Sequence, residues 1–342
     1  MYRVIQASID KLDIDAWDDL LSRSELCDAF QTYGWARVLR NSLNVQPRFM
    51  LVQDGRESIG GVLFYKKRMF RILDCYEIRG GPLYVGRNKR IVMKRILKSF
   101  RKNRRGSLYS LFIPSPLINC SLKEMFKGEG YHPIAFRTLI IDLKRPLEEI
   151  WKALDKNPRR MIRRAERFGV GVKIASTWHE WEEFYNLHVL HSRGKGYPTR
   201  PLDYFREMFK LHHKNLCRLF VAKYEKQIIA GTLFLIHKQN MVYLKNVSSE
   251  AFLKYNPNNL IQWRSMEWAA RNGVTTYDLY GLPWEGTRYL RGIYEYKKRW
   301  DGYAQWYYYY LDNRLLCDGI HLIRTNASAW NVFTGLKNYG LI

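Results

Sequence analysis

The stretch from Gly292 to Trp300 reads GIYEYKKRW and places a lysine where an apolar residue is expected. In a helix, Ile293, Tyr296 and Trp300 share one face, and Lys297 lies on that same face. A lysine stem that covers an aromatic ring while its head reaches water would explain the pattern without a function. The alternative is a fixed cation in a partly dry cleft, aimed at an oxyanion that forms during a reaction. One such donor contributes roughly 3–4 kcal/mol.

A second candidate is the segment PRRMIRRAERF, residues 158–168, which predicts an arginine-rich helix. Met161, Ala165 and Phe168 have the spacing of a buried stripe, so the guanidinium groups are expected on the remaining surface. Guanidinium groups donate paired hydrogen bonds to phosphates, which predicts contact with RNA or a pyrophosphate. A solvated helix face is the alternative. The predicted phosphate-binding residues are Arg159, Arg160, Arg163, Arg164 and Arg167.

The segment HSRGKGYPTR, residues 191–200, predicts a loop that could hold a phosphorylated ligand, although it lacks the spacing of a nucleotide-binding P-loop. Motifs for a nucleophile, GxSxG and HExxH, do not occur in the sequence, and the cysteines are scattered singly. The acetyl-CoA signature [QR]xxGx[GA] is also absent. We therefore predict no metal site, and direct attack of one substrate on another if the chain is an enzyme.

Two related halves must position these residues. Residues 48–67 align without gaps to residues 218–237, and each segment predicts a β-hairpin. The identical pairs are Arg48/Arg218, Ile59/Ile229, Gly61/Gly231, Leu63/Leu233 and Phe64/Phe234. Amphipathic helices fill the intervals between these hairpins. We predict an α+β fold with domains at residues 1–145 and 146–312, and with residues 313–342 packed on the first domain.

The charge of the chain predicts a polyanionic partner. Lys and Arg number 57 against 32 Asp and Glu, a formal net charge of +25. RNA, anionic lipid head groups and a phosphorylated precursor all fit this charge, and a generally basic surface is the alternative. The N-terminal segment is acidic and interrupted by polar residues, and no run approaches the roughly 18 apolar residues of a membrane span. The prediction is a cytoplasmic protein.

Several motifs occur in the order seen in one known family. They are TLIIDLKRPLEEIWKALDKNPRRMIRRAERFGVGV, SRGKGYPTRPLDYF, LIQWRSMEWAARNGVTTYDLYGL and GIYEYKKRWDG. Over residues 138–302 the chain closely resembles the Fem (FemABX) family of peptidoglycan-bridge aminoacyltransferases, and residues 30–39 resemble it more loosely. The resemblance implies two tandem domains of the acetyltransferase (GNAT) type. Because no long heptad run occurs, it implies a member without the coiled-coil arm.

The resemblance also implies the reaction and the partners. Family members take an amino acid from aminoacyl-tRNA and join it to an amine on the stem peptide of a UDP-linked or lipid-linked cell-wall precursor, without a cofactor. The expected protein is a cytoplasmic monomer that can also contact the inner membrane surface. Two rival functions remain open on the same residues: an acyl-CoA-dependent N-acyltransferase, and a non-catalytic protein that binds RNA or membranes.

The resemblance implies roles for individual residues. Lys297 matches the lysine proposed to stabilise the tetrahedral intermediate, and Arg193 with Tyr197 match the pair that holds the precursor's diphosphate. Tyr243 lies near another substrate contact. Near Trp35 the family has a phosphate-binding lysine, for which Arg37 and Arg40 are possible substitutes. The family's aspartate after a first-domain strand has no counterpart in residues 110–119.

Overall fold

The computed structural model describes residues 2–25, 28–69, 72–117, 122–196, 198–282 and 288–325. These residues form two compact units. Unit 1 comprises residues 2–136 and 306–325, and unit 2 comprises residues 137–305. The domain bounds predicted from the sequence, 1–145 and 146–312, lie several residues to the C-terminal side of these divisions. In the described part of the chain, no helix is both long and apolar enough to span a membrane.

Unit 1 is built on a mostly antiparallel sheet with the strand order β1-β2-β3-β4-β6, in which β4 and β6 are parallel and β5 pairs with β3. Its strands are β1 (Tyr2–Ser8), β2 (Gln46–Asp54), β3 (Glu57–Met69), β4 (Leu73–Arg79), β5 (Leu83–Tyr84) and β6 (Tyr109–Ile113). Its helices are α1 (Ile14–Arg23), α2 (Tyr33–Ser42), α3 (Lys89–Asn103), α4 (Lys123–Gly128) and α11 (Arg314–Thr325). The basic helix α3 buries an apolar stripe, from Val92 to Phe100, in the unit 1 core.

Unit 2 has the strand order β7-β12-β11-β10-β9-β8, in which β11 and β12 are parallel. Its strands are β7 (His132–Asp142), of which residues 132–136 belong to unit 1, β8 (Gly171–Ile174), β9 (Cys217–Tyr224), β10 (Gln227–His237), β11 (Asn240–Ser248) and β12 (Thr276–Asp278). Its helices are α5 (Leu147–Ala153), α6 (Lys156–Arg167), α7 (Trp178–Lys195), α8 (Leu202–His213), α9 (Pro257–Arg271) and α10 (Arg288–Lys297). Strand β13 (Tyr303–Leu311) crosses the division and pairs with β6 through Tyr310 and Leu311.

Both predicted β-hairpins are confirmed. Strand β2 pairs with β3, and β9 pairs with β10, each antiparallel. The glycine that the two hairpins share lets a helix approach closely. A Cβ atom at Gly61 would lie 3.0 Å from the Trp17 ring of α1, and one at Gly231 would lie 2.5 Å from the Phe184 ring of α7. The repeated glycine is therefore a packing requirement in both units.

Two local predictions are wrong. Helix α6 buries Pro158, Ile162 and Ala165, whereas the predicted stripe residue Phe168 is 40% exposed. Both stripes have helical spacing, and packing against α9 selects the observed one. The predicted loop at residues 191–200 is helical as far as Lys195, because α7 ends only at Gly196 in the left-handed conformation.

Candidate functional site

The Lys297 side chain lies inside unit 2. Lys297 is the last residue of α10, before a 3-10 turn at Lys298–Trp300, and only 8% of its surface is exposed. Its Nζ donates hydrogen bonds to the carbonyl oxygens of Leu279, Tyr280 and Gly281, at 2.7, 2.7 and 2.6 Å. An ammonium has three N–H donors, so the backbone uses all of them. The alternative of a lysine head that reaches bulk water is wrong.

A tight turn after β12 makes these carbonyls converge. Tyr280 and Gly281 both have left-handed backbones, with φ of +49° and +65°. Asp278, at the end of β12, holds the turn: its Oδ1 accepts a hydrogen bond from the Tyr280 N–H at 2.7 Å and another from the Thr138 hydroxyl. Left-handed backbone is unfavourable for tyrosine, so the turn depends on these contacts and on Lys297.

The charges at this turn are poorly solvated. Among the described residues, Lys297 forms no ion pair within 4.0 Å, and only backbone dipoles contact its charge directly. Burial lowers the pKa of Lys297 to about 8, against the opposing effect of the negative charge on Asp278. Burial also raises the pKa of Asp278, although its hydrogen bonds and Lys297 oppose that rise. Such perturbed groups are enriched at functional sites.

Aromatic rings line the same region. The Lys297 Nζ lies 5.6 Å from the centre of the Tyr243 ring on β11, so two residues of the predicted site are neighbours. The hydroxyl of Tyr296 donates to the carbonyl oxygen of Asn258, near the N-terminus of α9, at 3.1 Å. Trp300 is fully buried in the unit 2 core. This packing fixes the end of α10 and therefore the position of the ammonium.

Of the two unit 2 residues predicted to bind a diphosphate, Arg193 and Tyr197, the structure describes only Arg193. Arg193 is exposed in the last turn of α7, and Tyr197 lies outside the described residues. The connection that follows α7 is anchored by His188, which is fully buried. Its Nε2 accepts a hydrogen bond from the Arg200 N–H at 3.0 Å, and its Nδ1 lies 3.1 Å from the Ser192 hydroxyl.

The unit 1 members of the predicted site all lie on α2. Trp35 is 7% exposed and packs edge-on against Phe30, with ring centres 5.1 Å apart, so it contributes to the unit 1 core. Arg37 is half-buried, and Arg40 is exposed and forms an ion pair with Asp10.

Four arginines of α6 line an open groove of about 900 Å³. The residues that line it are Lys156, Arg159, Arg160, Arg163, Glu166 and Arg167. The acid in this set, Glu166, already forms an ion pair with Arg264 at 2.8 Å. Arg159 Nε is buried with no hydrogen-bond partner among the described residues. Arg164 lies away from the groove, above the Phe168 ring at 5.2 Å. The groove has the chemistry of a polyanion site.

Three parts of the Lys297 site were missed by sequence reasoning: Asp278, Thr138 and the carbonyl groups of the turn. An acid and a glycine in the segment TYDLYG are the available signal, because a carboxylate at a strand end followed by glycine is typical of a shaped turn. Within the described ranges, no three His, Cys, Asp or Glu side chains are grouped as a metal site would require.

Comparison with known proteins agrees with this architecture. A family model described as an acetyltransferase (GNAT) domain matches residues 152–298. The crystal structure of FemX matches with a TM-score of 0.75 and 16% identity, over 94% of this chain and 100% of that one. A tandem GNAT protein from the clavulanic acid biosynthesis pathway matches with a TM-score of 0.53 and 11% identity, over 91% and 98%. The chain is therefore a protein of two tandem GNAT-like folds.

One curated relative is similar to this chain in sequence. The UDP-N-acetylmuramoylpentapeptide-lysine N(6)-alanyltransferase of Weissella viridescens is 27% identical over 126 residues, or 37% of this chain. The match spans 37% of the length of that relative. With the FemX fold, this match supports the resemblance of the chain to the Fem family.

Proposed function

We propose that this protein is an aminoacyltransferase that moves an amino acid from aminoacyl-tRNA to an amine on the stem peptide of a peptidoglycan precursor. The observation that carries the proposal is the buried ammonium of Lys297 beside Tyr243, on a backbone turn that fixes its position. The name of the Weissella relative supports the acceptor, because it specifies a lysine of a UDP-linked muramoyl pentapeptide and transfer of an alanyl group.

The proposed reaction is the attack of a neutral amine on the carbonyl carbon of the aminoacyl ester. A C–N bond forms, the bond between the carbonyl carbon and the ribose oxygen breaks, and the proton lost by the amine reaches that ribose oxygen. An ester is already activated, so holding both substrates in place supplies much of the acceleration. The remaining requirement is positive charge near the oxyanion of the tetrahedral intermediate.

Lys297 supplies that charge. At neutral pH it is mostly protonated, because its pKa of about 8 lies above the working pH. Its three N–H groups donate to backbone carbonyls in the absence of substrate. As the oxyanion forms, one N–H exchanges a carbonyl for the charged oxygen, which is the stronger acceptor. The reaction therefore uses a donor that the protein has already oriented.

The two substrates are assigned to different basic groups. The arginine groove of α6 binds phosphates of the tRNA. Arg193 and Tyr197 bind the diphosphate of the precursor, with Arg37 and Arg40 as further phosphate contacts. The precursor can be UDP-linked or lipid-linked, and the net charge of +25 favours contact with the anionic inner membrane surface. A cytoplasmic location and a monomeric state complete the proposal.

Replacement of Lys297 by Met tests the catalytic assignment. The variant keeps the length of the side chain but removes its charge, so we expect single-turnover transfer to fall by about 10²–10³-fold. The measurement uses alanyl-tRNA, seryl-tRNA and glycyl-tRNA as separate donors, with UDP-muramoyl pentapeptide as acceptor. The matched control is Lys298→Met, which removes an exposed ammonium paired with Glu295 at 3.1 Å and should retain the wild-type rate.

Thermal unfolding and tRNA affinity are measured on both variants, so that loss of fold is not mistaken for loss of chemistry. A Lys297→Met protein that transfers at the wild-type rate would refute the assignment. The acyl-CoA alternative predicts acyl transfer from a thioester that survives ribonuclease treatment. The non-catalytic alternative predicts no transfer by the wild-type protein with any of these donors.

A further inference from the structure

The C-terminal end of α6 lies beside partly exposed aromatic rings that the proposed reaction does not use. Phe168, which follows α6, is 40% exposed, and its ring centre lies 5.2 Å from that of Tyr255, at 87°. Tyr255 in turn stacks on Tyr224 of β9, with centres 4.4 Å apart and planes at 23°. We call Phe168, Tyr255 and Tyr224 the aromatic platform. Both tyrosines of the platform pack against the unit 2 core, which fixes their positions.

Two cationic side chains lie over rings of the aromatic platform. The Arg164 guanidinium lies 5.2 Å from the centre of the Phe168 ring, and the Lys254 ammonium lies 5.2 Å from that of Tyr255. The arginine groove lies on the same helix as Arg164, and the ion pair with Arg264 offsets the charge of Glu166. This surface therefore combines a row of guanidinium groups with neighbouring aromatic rings.

This combination is typical of sites for single-stranded nucleic acid, in which a basic groove follows the backbone and aromatic rings stack on unpaired bases. Duplex RNA would contact the arginines but not the rings, because its bases are already stacked on each other. An anionic membrane is the main rival, since Leu253 of the neighbouring 3-10 turn is 47% exposed. Binding to anionic vesicles distinguishes this rival from RNA.

We infer that the aromatic platform stacks on unpaired bases of a single-stranded RNA segment whose phosphates lie in the arginine groove. The inference rests on the proposed function, in which the donor is a charged tRNA. The aminoacyl ester of such a tRNA is carried at a single-stranded 3′ end, so this segment must enter the protein whatever the sequence of the rest of the molecule. The platform then helps to position the ester before the acceptor amine attacks.

The test compares RNA probes on platform variants of the full chain. The probes are a fluorescent single-stranded RNA of about six nucleotides that ends in CCA, and an RNA duplex with blunt ends. The main variant, Phe168→Leu with Tyr255→Leu, removes two rings but keeps apolar side chains. We expect it to bind the single strand about tenfold or more weakly, while duplex affinity changes less than about twofold. Tyr255→Phe, which keeps the ring, is the matched control and should bind both probes like the wild type.

A variant of one groove arginine distinguishes the contribution of the arginine groove from that of the aromatic platform. Arg163→Gln, which removes a groove cation but no ring, should weaken both probes and reduce the salt dependence of binding. If thermal unfolding shows that the double variant is not folded, the single variant Phe168→Leu decides, because that residue is 40% exposed and its replacement disturbs the core least. Vesicles of phosphatidylglycerol and phosphatidylethanolamine are assayed on the same proteins.

Three outcomes overturn the inference: unchanged single-strand affinity in the platform variants, equal losses for single strand and duplex, or a loss confined to vesicle binding. The proposed function is judged separately, by transfer from aminoacyl-tRNA catalysed by the wild-type protein. If the wild type transfers but its platform variants bind RNA normally, the inference fails and the proposed function stands. If the wild type transfers only from acyl-CoA, the proposed function fails whichever RNA result is obtained.

Discussion

Each unit contains a buried charge, Glu77 within β4 of unit 1 and Lys297 at the end of α10 in unit 2, and the two charges have different kinds of partner. In unit 1, Glu77 of β4 forms an ion pair with Lys67 and accepts hydrogen bonds from the hydroxyls of Tyr65 and Tyr109, at 2.9 and 3.0 Å. In unit 2, Lys297 donates hydrogen bonds to three backbone carbonyl groups and forms no ion pair with the described residues. One charge is matched by an opposite charge, and the other is not.

The pKa values report this difference. Burial alone would raise the pKa of Glu77, but the charge and hydrogen bond of Lys67, with Arg79 and Tyr65, outweigh it and leave the pKa lowered. Burial dominates at Lys297, and the pKa falls to about 8. The environment of Glu77 therefore favours its ion, whereas that of Lys297 disfavours its ion. A stabilised buried ion suits a structural role, and a poorly stabilised one is available to a developing negative charge.

Removal of Glu77 should have the largest effect on stability. Glu77→Ala leaves Lys67 without its carboxylate and two tyrosine hydroxyls without their acceptor, so we expect a loss of about 3–5 kcal/mol in the free energy of unfolding. Urea denaturation, with hydrogen exchange to identify the strands of unit 1, measures it. Glu57→Ala is the control, because its ion pair with Arg23 is exposed and should contribute less than about 1 kcal/mol. A small loss for Glu77→Ala would show that its partners are satisfied elsewhere.

The pH dependence of transfer should show whether Lys297 acts as a cation or as a general base. Above about pH 8 the wild type loses the ammonium, whereas a Lys297→Arg variant keeps its charge. The acceptor amine titrates equally in both assays, so the ratio of the wild-type rate to the variant rate isolates position 297. We expect this ratio to fall by about tenfold for each pH unit above the pKa. A ratio that rises with pH would instead assign Lys297 as a general base.

The sequence predicted the repeated hairpins because each depends on local signals: two apolar runs, a polar turn and a glycine. It also predicted that Lys297 shares a face with aromatic residues, since helical spacing is a local property. The choice between the two apolar stripes of α6 is different. Met161-Ala165-Phe168 and Pro158-Ile162-Ala165 have the same spacing and share Ala165, so only packing against α9 distinguishes them.

The partners of the two buried charges could not be predicted for a related reason. The contacts of Glu77 come from two other strands, β3 and β6, and the carbonyls around Lys297 come from a left-handed turn 16 to 18 residues earlier in the chain. Backbone carbonyls occur at every residue and leave no sequence signal. Spacing therefore singled out Lys297 as a candidate buried cation, whereas Glu77 and the groups around both charges require the tertiary structure.

The smallest of these effects is a difference in acid sensitivity between the units. Burial, with nearby positive charges, lowers the pKa of His188 to about 3 and those of His212 and His237 to about 4, all in unit 2. The histidines of unit 1, His132 and His321, are half-buried and exposed. A lowered histidine pKa means that the unfolded chain binds more protons than the folded one between about pH 4 and 6.5, so stability falls as the pH drops through this range.

Unit 2 should therefore lose protection before unit 1 when the pH is lowered to about 5.5, by roughly 1 kcal/mol or less for each buried histidine. Hydrogen exchange, corrected for the intrinsic rate, measures both units in one sample. His237 is the most informative position, because its Nε2 is buried with no hydrogen-bond partner among the described residues. His237→Leu should reduce the acid sensitivity of unit 2, whereas the exposed His179→Gln should not change it. Equal loss of protection in the two units would show that carboxylates such as Glu77 and Glu180, rather than histidines, control acid unfolding.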